Sequence, residues 1–389
     1  MTPAARYQAA IEILDRIFEG GSAEKALTNW ARASRFAGSK DRAAIRDIVF
    51  DGLRRRNSAA HNGGALSGRG IVLGLLRMDA APVAEIFTGD RHAPAALSDT
   101  ETALLANPPA ENILDLPDWL YAAFERSLGN EAAPVERALR ARAPTTLRAN
   151  LAKTTREKLQ ADLTAHTIPT KANPVSPSAL TLGAEARNLT ALPEFLDGHF
   201  ELQDAGSQAL VDRLPLPQGG RVLDYCAGGG GKTLAMAARQ SAHYFAHDIS
   251  AARLAPLKER AERAGVRVML LAPGAAAGQG PYDLVLCDAP CTGSGAWRRS
   301  PEAKWKLSEQ DLQRTCALQA DILQEASALV KKGGVLAYAT CSVLREENEA
   351  IVSAFLSRNG EWALVQQEHW QPDTTSDGFF LALIAHGAQ

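Results

Sequence analysis

No run of apolar residues in this 389-residue chain approaches the ~20 that a bilayer-spanning helix requires, which excludes a transmembrane helix. Nor is there the unbroken apolar centre of a secretory signal. Glu12, Asp15 and Glu19 interrupt it, and residues 1–20 read as an amphipathic helix. Cysteine is scarce: five residues, an odd number without the tight spacing of a disulfide-framed domain. Free thiols fit a reducing cytoplasm, where the chain is expected to act as a monomer. Charge of one sign is lacking as well. Lys and Arg total 42 against 44 Asp and Glu, a net charge of −2, so no chain-wide positive field draws the protein to a phosphate polymer. The average conceals a local excess. Residues 1–57 hold 11 cations against 7 anions, including Arg32, Arg35, Lys40, Arg42, Arg46 and Arg54-Arg55-Arg56. Alone, such a cluster is a solvated helical surface; beside other signs of RNA it becomes a nucleic-acid footprint.

What is present is an ordinary globular composition, 46% hydrophobic and 22% charged, in a chain long enough for about two or three domains. Residues 1–140 carry apolar residues at helical spacing. Ile11, Ile13, Leu14, Ile17 and Phe18 share one face, and Ile45, Ile48, Val49 and Leu53 repeat the pattern. An all-helical domain is expected there. Residues 141–196 change character, with strands predicted at 146–150, 168–171 and 179–182 around a helix at 154–166: a small α/β module. From 197 to 389 strand and helix alternate. Strands are predicted at 221–225, 243–247, 266–271, 284–287, 335–339 and 379–384, and helices at 233–239, 251–264 and 308–330. This pattern predicts a doubly wound α/β domain with functional loops at the carboxyl ends of its parallel strands.

The strand at 221–225 runs into Cys226-Ala227-Gly228-Gly229-Gly230-Gly231-Lys232-Thr233. Such a turn lets backbone approach a ligand and aims helix N–H groups at an anion. Three readings compete. A phosphate loop would need glycine where Cys226 stands, and a dinucleotide fingerprint would need glycine where Thr233 stands. The third is S-adenosylmethionine, with its carboxylate over the turn and its ribose hydroxyls on Asp248, at the end of the next strand. Asp248 is equally well placed to cap the following helix.

Two further strand ends carry thiols: Asp288-Ala289-Pro290-Cys291-Thr292-Gly293 and Thr340-Cys341-Ser342. Pyrimidine C5 is a poor nucleophile. A thiolate added at C6 makes C5 enamine-like and able to accept a methyl group, after which a base removes the C5 proton and the thiol departs. A carboxyl such as Asp288 can hold the N3 edge as charge develops. Packing is the alternative role for the cysteines, and the stronger one for Cys287 and Cys226. A zinc pair at Cys287 and Cys291 lacks a second ligand pair, so no metal is expected. Between the thiol motifs, Trp297-Arg298-Arg299-Ser300-Pro301-Glu302-Ala303-Lys304-Trp305-Lys306 interleaves aromatics with Arg298, Arg299, Lys304 and Lys306. That suits stacking and phosphate contacts to a single strand, and equally an amphipathic cover loop.

Taken together, the glycine turn, the Asp288–Gly295 segment, Tyr338-Ala339-Thr340-Cys341-Ser342, Glu346-Glu347-Asn348, Asp377-Gly378-Phe379-Phe380 and Gln203-Asp204 resemble the NOL1/NOP2/Sun RNA 5-methylcytosine methyltransferases. The resemblance covers roughly residues 145–389. Arg35-Phe36-Ala37-Gly38-Ser39-Lys40-Asp41-Arg42 resembles the NusB-like helical domain of the bacterial RsmB/Sun branch, which methylates small-subunit ribosomal RNA. It implies a Rossmann-like S-adenosylmethionine-dependent methyltransferase domain (197–389), preceded by a small α/β module (141–196) and a NusB-like RNA-binding domain (1–140). It further implies Cys341 as nucleophile, Cys291 in product release, Asp288 at the base edge beside the cofactor, and Cys226 to Lys232 with Asp248 as the cofactor site. Two departures stand out. Gly229 replaces a usual proline, and Ala272-Pro273-Gly274 offers no acid after the third strand, where the family holds adenine. The expected reaction is cytosine C5 methylation of 16S ribosomal RNA. The alternatives are the same chemistry on transfer RNA, or an RNA-binding assembly factor with little catalysis.

Overall fold

A computed structural model describes residues 1–183, 186 and 188–387. The chain divides into two compact units. One comprises Met1–Tyr121, Glu136–Arg142 and Trp297–Lys306; the other comprises Ala122–Val135, Ala143–Ala296 and Leu307–Gln389. Among the described residues no helix is long and apolar enough to cross a membrane.

The first unit is helical, as the periodicity predicts. Helices Pro3–Phe18, Ser39–Arg54 and Gly68–Met78 bury Ile13, Leu14, Ile45, Leu53 and Ile71 in a common core. Helices Arg56–Gly63 and Gly68–Met78 approach so closely that a Cβ on Gly63 would lie 1.7 Å from the Gly70 carbonyl oxygen, which is why glycine stands there.

The segment Trp297–Lys306 packs within this helical unit, and this corrects one expectation. Arg298 and Lys304 are 1% and 2% exposed, so these two cations are interior groups and not RNA contacts. The physical reason lies at the end of helix Ser39–Arg54, whose last carbonyls have no donor within the helix. Lys304 Nζ donates to the Arg54 carbonyl (3.0 Å), and the Trp305 indole N–H donates to the Leu53 carbonyl (2.6 Å). Arg54 Nε in turn donates to the Arg298 carbonyl at 2.7 Å. The Arg56 guanidinium covers the Trp305 ring at 4.7 Å. The aromatic–cation alternation is therefore a helix-end clasp. Arg299 and Lys306 are exposed, and Lys306 pairs with Glu302.

The second unit holds two sheets. The smaller consists of β1 (Thr146–Ala149), β2 (Thr170–Ala172), β3 (Ala179–Leu182) and β4 (Phe200–Leu202), antiparallel in the order β2-β3-β1-β4. Helix Arg156–Ala165 packs on it, capped by Thr155, whose hydroxyl accepts from Lys158 N. The larger sheet contains β5 (Arg221–Asp224), β6 (His243–His247), β7 (Val268–Leu271), β8 (Tyr282–Asp288), β9 (Val330–Thr340), β10 (Trp362–Trp370) and β11 (Phe379–His386). Its order is β10-β11-β9-β8-β5-β6-β7. Strands β5 to β9 pair in parallel, and β10 and β11 are antiparallel. The chain starts this sheet at β5, runs outward to β6 and β7, then returns to the other flank as β8 and β9. The strand order thus reverses between β5 and β8, which opens a crevice at their carboxyl ends.

The structure departs from the sequence expectation in detail. The helix expected over 251–264 is broken into Ala251–Leu254 and Leu257–Ala264 by Pro256, and Gly265 closes it in a left-handed conformation (φ 73°). Strand β10 and helix Glu349–Arg358 were not expected. Strand β10 is mostly exposed, with the apolar run Trp362-Ala363-Leu364-Val365 followed by the polar run Gln366-Gln367-Glu368-His369, so its sequence carries no alternation to read.

Candidate active site

The crevice is a cavity of about 760 Å³, within the range of small-ligand sites. Its wall includes Cys226, Ala227, Gly228, Gly229 and Asp248 on one side and Asp288, Cys291 and Cys341 on the other. Eight of the residues singled out from sequence therefore meet in one space, though they come from four different strand ends. Gly230, Gly231 and Lys232 lie outside this wall. Gly230 sits at φ +80°, where a Cβ would lie 2.2 Å from Leu257 Cδ1, so it serves helix packing.

Asp248 braces the glycine turn. Its Oδ2 accepts from Gly228 N (2.9 Å) and its Oδ1 from Ser250 N (2.8 Å), which leaves further lone pairs for a ligand hydroxyl. Asp224, at the end of β5, is buried. Desolvation pushes its carboxyl up to about 7, although Thr233 donates a hydrogen bond to it. Burial, with the nearby Asp224 carboxylate, pushes the Cys226 thiol up to about 12, so Cys226 stays protonated and unreactive.

Lys232 turns away from the cofactor turn toward Asp288, and its Nζ lies 2.7 Å from Asp288 Oδ2. Burial alone would lower this ammonium, but the Asp288 carboxylate outweighs it and holds Lys232 above its ordinary value. The ion pair fixes one Asp288 oxygen and leaves the carboxyl on the cavity wall. Sequence reading named both residues but not their pairing.

The two thiols are neighbours. Cys291 Sγ and Cys341 Sγ lie 3.4 Å apart. Cys291 is pushed well above its usual value, first by its hydrogen bond to Cys341, then by burial, and further by the negative charges of Cys341 and Glu347. Cys291 therefore holds its proton more tightly than an ordinary thiol. The loop after β8 and the turn after β9 are held against each other by close backbone contacts. Gly295 N donates to the Cys341 carbonyl and Gly378 N to the Gly295 carbonyl, both at 2.9 Å, and a Cβ on Gly295 would meet the Gly378 backbone at 2.5 Å. Asn348 fastens the Cys341 turn, with its amide oxygen accepting from Thr340 Oγ1 and its Nδ2 donating to the Ser342 carbonyl.

The segment after β7, where the family's acid is absent, does not line the cavity. That wall comes from Ile249 and from helix Glu309–Ser327, through Leu318, Asp321, Ile322 and Glu325. These residues were not singled out from sequence. Their 3–4-residue spacing places them on one helix face, which a periodicity reading registers only as amphipathic.

Residues 212–384 match the family model of the 16S rRNA methyltransferases RsmB/F, and residues 116–187 match that of the RsmF/B-like ferredoxin-like domain. The ribosomal RNA small subunit methyltransferase B of Yersinia pseudotuberculosis is 33% identical over 282 residues, covering 69% of this chain and 66% of that protein. The chain thus spans just under two thirds of the length of these relatives; the protein of the same name from Yersinia pestis gives the same values. Among solved structures, PH0851 covers 99% of both chains with a TM-score of 0.74 at 22% identity, a likeness of fold. A methyltransferase homolog protein from Pyrococcus horikoshii covers 68% of this chain and 93% of its own, at a TM-score of 0.60 and 26% identity.

Proposed function

The chain belongs to the RsmB/F methyltransferase family, and from that premise we propose that it methylates C5 of a cytosine in 16S ribosomal RNA through a covalent adduct between Cys341 and C6. The observation that carries the reading is the pair of thiols 3.4 Å apart on one cavity wall with Asp288. S-adenosylmethionine, when bound, supplies the methyl group. The residues present fit it: the glycine turn exposes backbone, Asp248 retains acceptor capacity, and the cavity reaches from both to the thiols.

The protein's own groups divide the work. Cys341 Sγ forms the bond to C6, which makes C5 nucleophilic. Asp288, held by Lys232, donates or shares a proton at the N3 edge of the base as negative charge builds there. Cys291 is protonated while Cys341 is free, because their hydrogen bond is the largest cause of its displacement. Once Cys341 Sγ is bonded to carbon that cause is gone, and Cys291 gives up its proton to solvent to become the thiolate base for C5. The C5 proton then passes to Cys291, the C5–C6 double bond re-forms, and Cys341 leaves as a thiolate.

The test is transfer of labelled methyl from S-adenosylmethionine to unmodified small-subunit ribosomal RNA, with nucleotide analysis of the product. Label in 5-methylcytosine is expected, and none should appear with Cys341→Ala. Label on transfer RNA alone, or full activity of Cys341→Ala, would overturn the assignment. With Cys291→Ala, a protein–RNA adduct that survives denaturing electrophoresis is expected.

A further inference from the structure

Glu347 stands six residues beyond Cys341, is fully buried, and has no place in the chemistry above. Its carboxylate is the convergence point of both thiol loops. Oε1 accepts from Thr292 N (2.8 Å), the residue after Cys291, and from Gln319 Nε2 (3.0 Å). Oε2 accepts from the Thr292 hydroxyl and from the hydroxyl of Ser342, the residue after Cys341, both at 2.5 Å. Gln319 also donates to the Pro290 carbonyl (2.9 Å), on the other side of Cys291. One carboxylate with four donors therefore brackets Cys291 and reaches the neighbour of Cys341. An acceptor-only group suits this, because the Thr292 N–H and the Gln319 amide N–H can only donate. The adjoining chain is anchored separately, with Arg345 N donating to Ser127 Oγ (2.9 Å) and Glu346 paired with Arg126 (2.8 Å), so Glu347 is free to serve the interior.

We infer that Glu347 is a positioning residue: its buried carboxylate ties the Cys291 loop to the Cys341 turn, sets the thiol pair in register on the cavity wall, and places a negative charge beside Cys291. The inference rests on the reading of these thiols as the reacting groups. It acts in two separable ways. The hydrogen bonds set position. The negative charge disfavours a second negative charge on Cys291, in the same direction as the Cys341 contact. The other ionisable groups around the pair are Lys232 with Asp288 on the cavity side, Asp224 beyond them, and Cys316 and Tyr338 behind. None of these others hydrogen-bonds to both loops in the described structure.

Two variants separate position from charge. In Glu347→Gln the amide oxygen keeps the Thr292 N and Gln319 contacts. The amide NH₂ then donates to the Thr292 and Ser342 hydroxyls, and the Ser342 hydrogen can turn to Ser294 Oγ, 2.8 Å away. Glu347→Ala removes both position and charge. The first readout is alkylation of Cys291 and Cys341 by iodoacetamide across pH, resolved by mass spectrometry on the full chain without RNA or cofactor. The second is kcat and KM for methyl transfer to small-subunit ribosomal RNA.

Glu347→Gln is expected to move the Cys291 alkylation midpoint to lower pH while kcat stays within about tenfold of wild type. Glu347→Ala is expected to lower kcat about a hundredfold, the cost of an ångström-scale misplacement, with KM little changed. Should the Ala variant fail to fold, the Gln midpoint decides alone. An unmoved Cys291 midpoint in the Gln variant, or wild-type kcat in a folded Ala variant, overturns the inference. If the wild-type protein itself transfers no methyl group, the proposed function fails, while the alkylation readout still judges the clamp.

Discussion

The Lys232–Asp288 pair allows packing and chemistry to be separated by measurement. The two charges lie 2.7 Å apart, and their side chains are 11% and 31% exposed. Asp288→Asn keeps the shape and removes the counter-charge, leaving the Lys232 ammonium against the Phe379 ring (5.4 Å) and little water. Breaking a buried pair from one side costs about 3–5 kcal/mol. With just under a third of the Asp288 side chain open to solvent, about 2–3 kcal/mol is the expected loss in urea unfolding at neutral pH. Lys232→Met leaves the better-solvated carboxylate behind and should cost about 1 kcal/mol by the same reasoning. The double variant strands neither charge, so its loss should fall short of the sum by roughly 1–2 kcal/mol, as for groups in direct contact. Methyl transfer should behave differently. Every variant lacking the Asp288 carboxylate should be slow, including the double variant whose stability loss is less than additive. Losses that add to within about 0.5 kcal/mol would refute the electrostatic account of this pair. Near-wild-type methylation by Asp288→Asn would refute the role of Asp288 at the base.

Other consequences follow from groups whose environment is clear. Burial lowers Lys304 from 10.5 to about 8. A base lowered in the folded state contributes stability that is present above pH 10.5 and lost as pH falls through about 8, a difference of about 3 kcal/mol. Lys304→Met should flatten that limb of the stability–pH curve relative to wild type and leave the salt dependence of RNA binding unchanged; a smaller salt slope would show Lys304 meeting phosphate after all. Asp224 runs the other way. Raised from 3.8 to about 7, it contributes stability that is greatest below its unfolded value and lost as pH rises from about 4 to 7, at most about 4 kcal/mol. Asp224→Asn should remove that decline, and parallel wild-type and variant curves would contradict it. Treatment with diamide, which takes up two hydrogens, should close Cys291 and Cys341 from 3.4 Å to a disulfide of ~2.05 Å, with a matching mass loss, blocked methylation and recovery in dithiothreitol. Failure to find the linked peptides would mean the thiols do not meet in solution.

What the sequence made legible, and what it hid, follows the range of the interactions involved. Strands β5, β6, β8 and β9 and the turns after them were readable because each buried run and its punctuation lie within a few residues, and the sheet order brings their ends together. That is enough to assemble Cys341, Cys291, Asp288 and Asp248 around one cavity. The limits appear wherever a side chain's meaning depends on a distant partner. Trp297–Lys306 has the composition of an RNA-facing loop, and what removes Lys304 from that role is the Arg54 carbonyl, 250 residues earlier. Lys232 looks like part of the cofactor turn until Asp288, 56 positions on, claims its ammonium. Glu347 is only six residues from Cys341, yet its purpose depends on Thr292, 55 positions away. The same cation or carboxylate is solvated, catalytic or structural according to which unsatisfied carbonyl or N–H the fold delivers to it. The chemistry of this chain was therefore legible at strand ends, where position is fixed locally, and its supporting contacts became visible only once those ends were brought together.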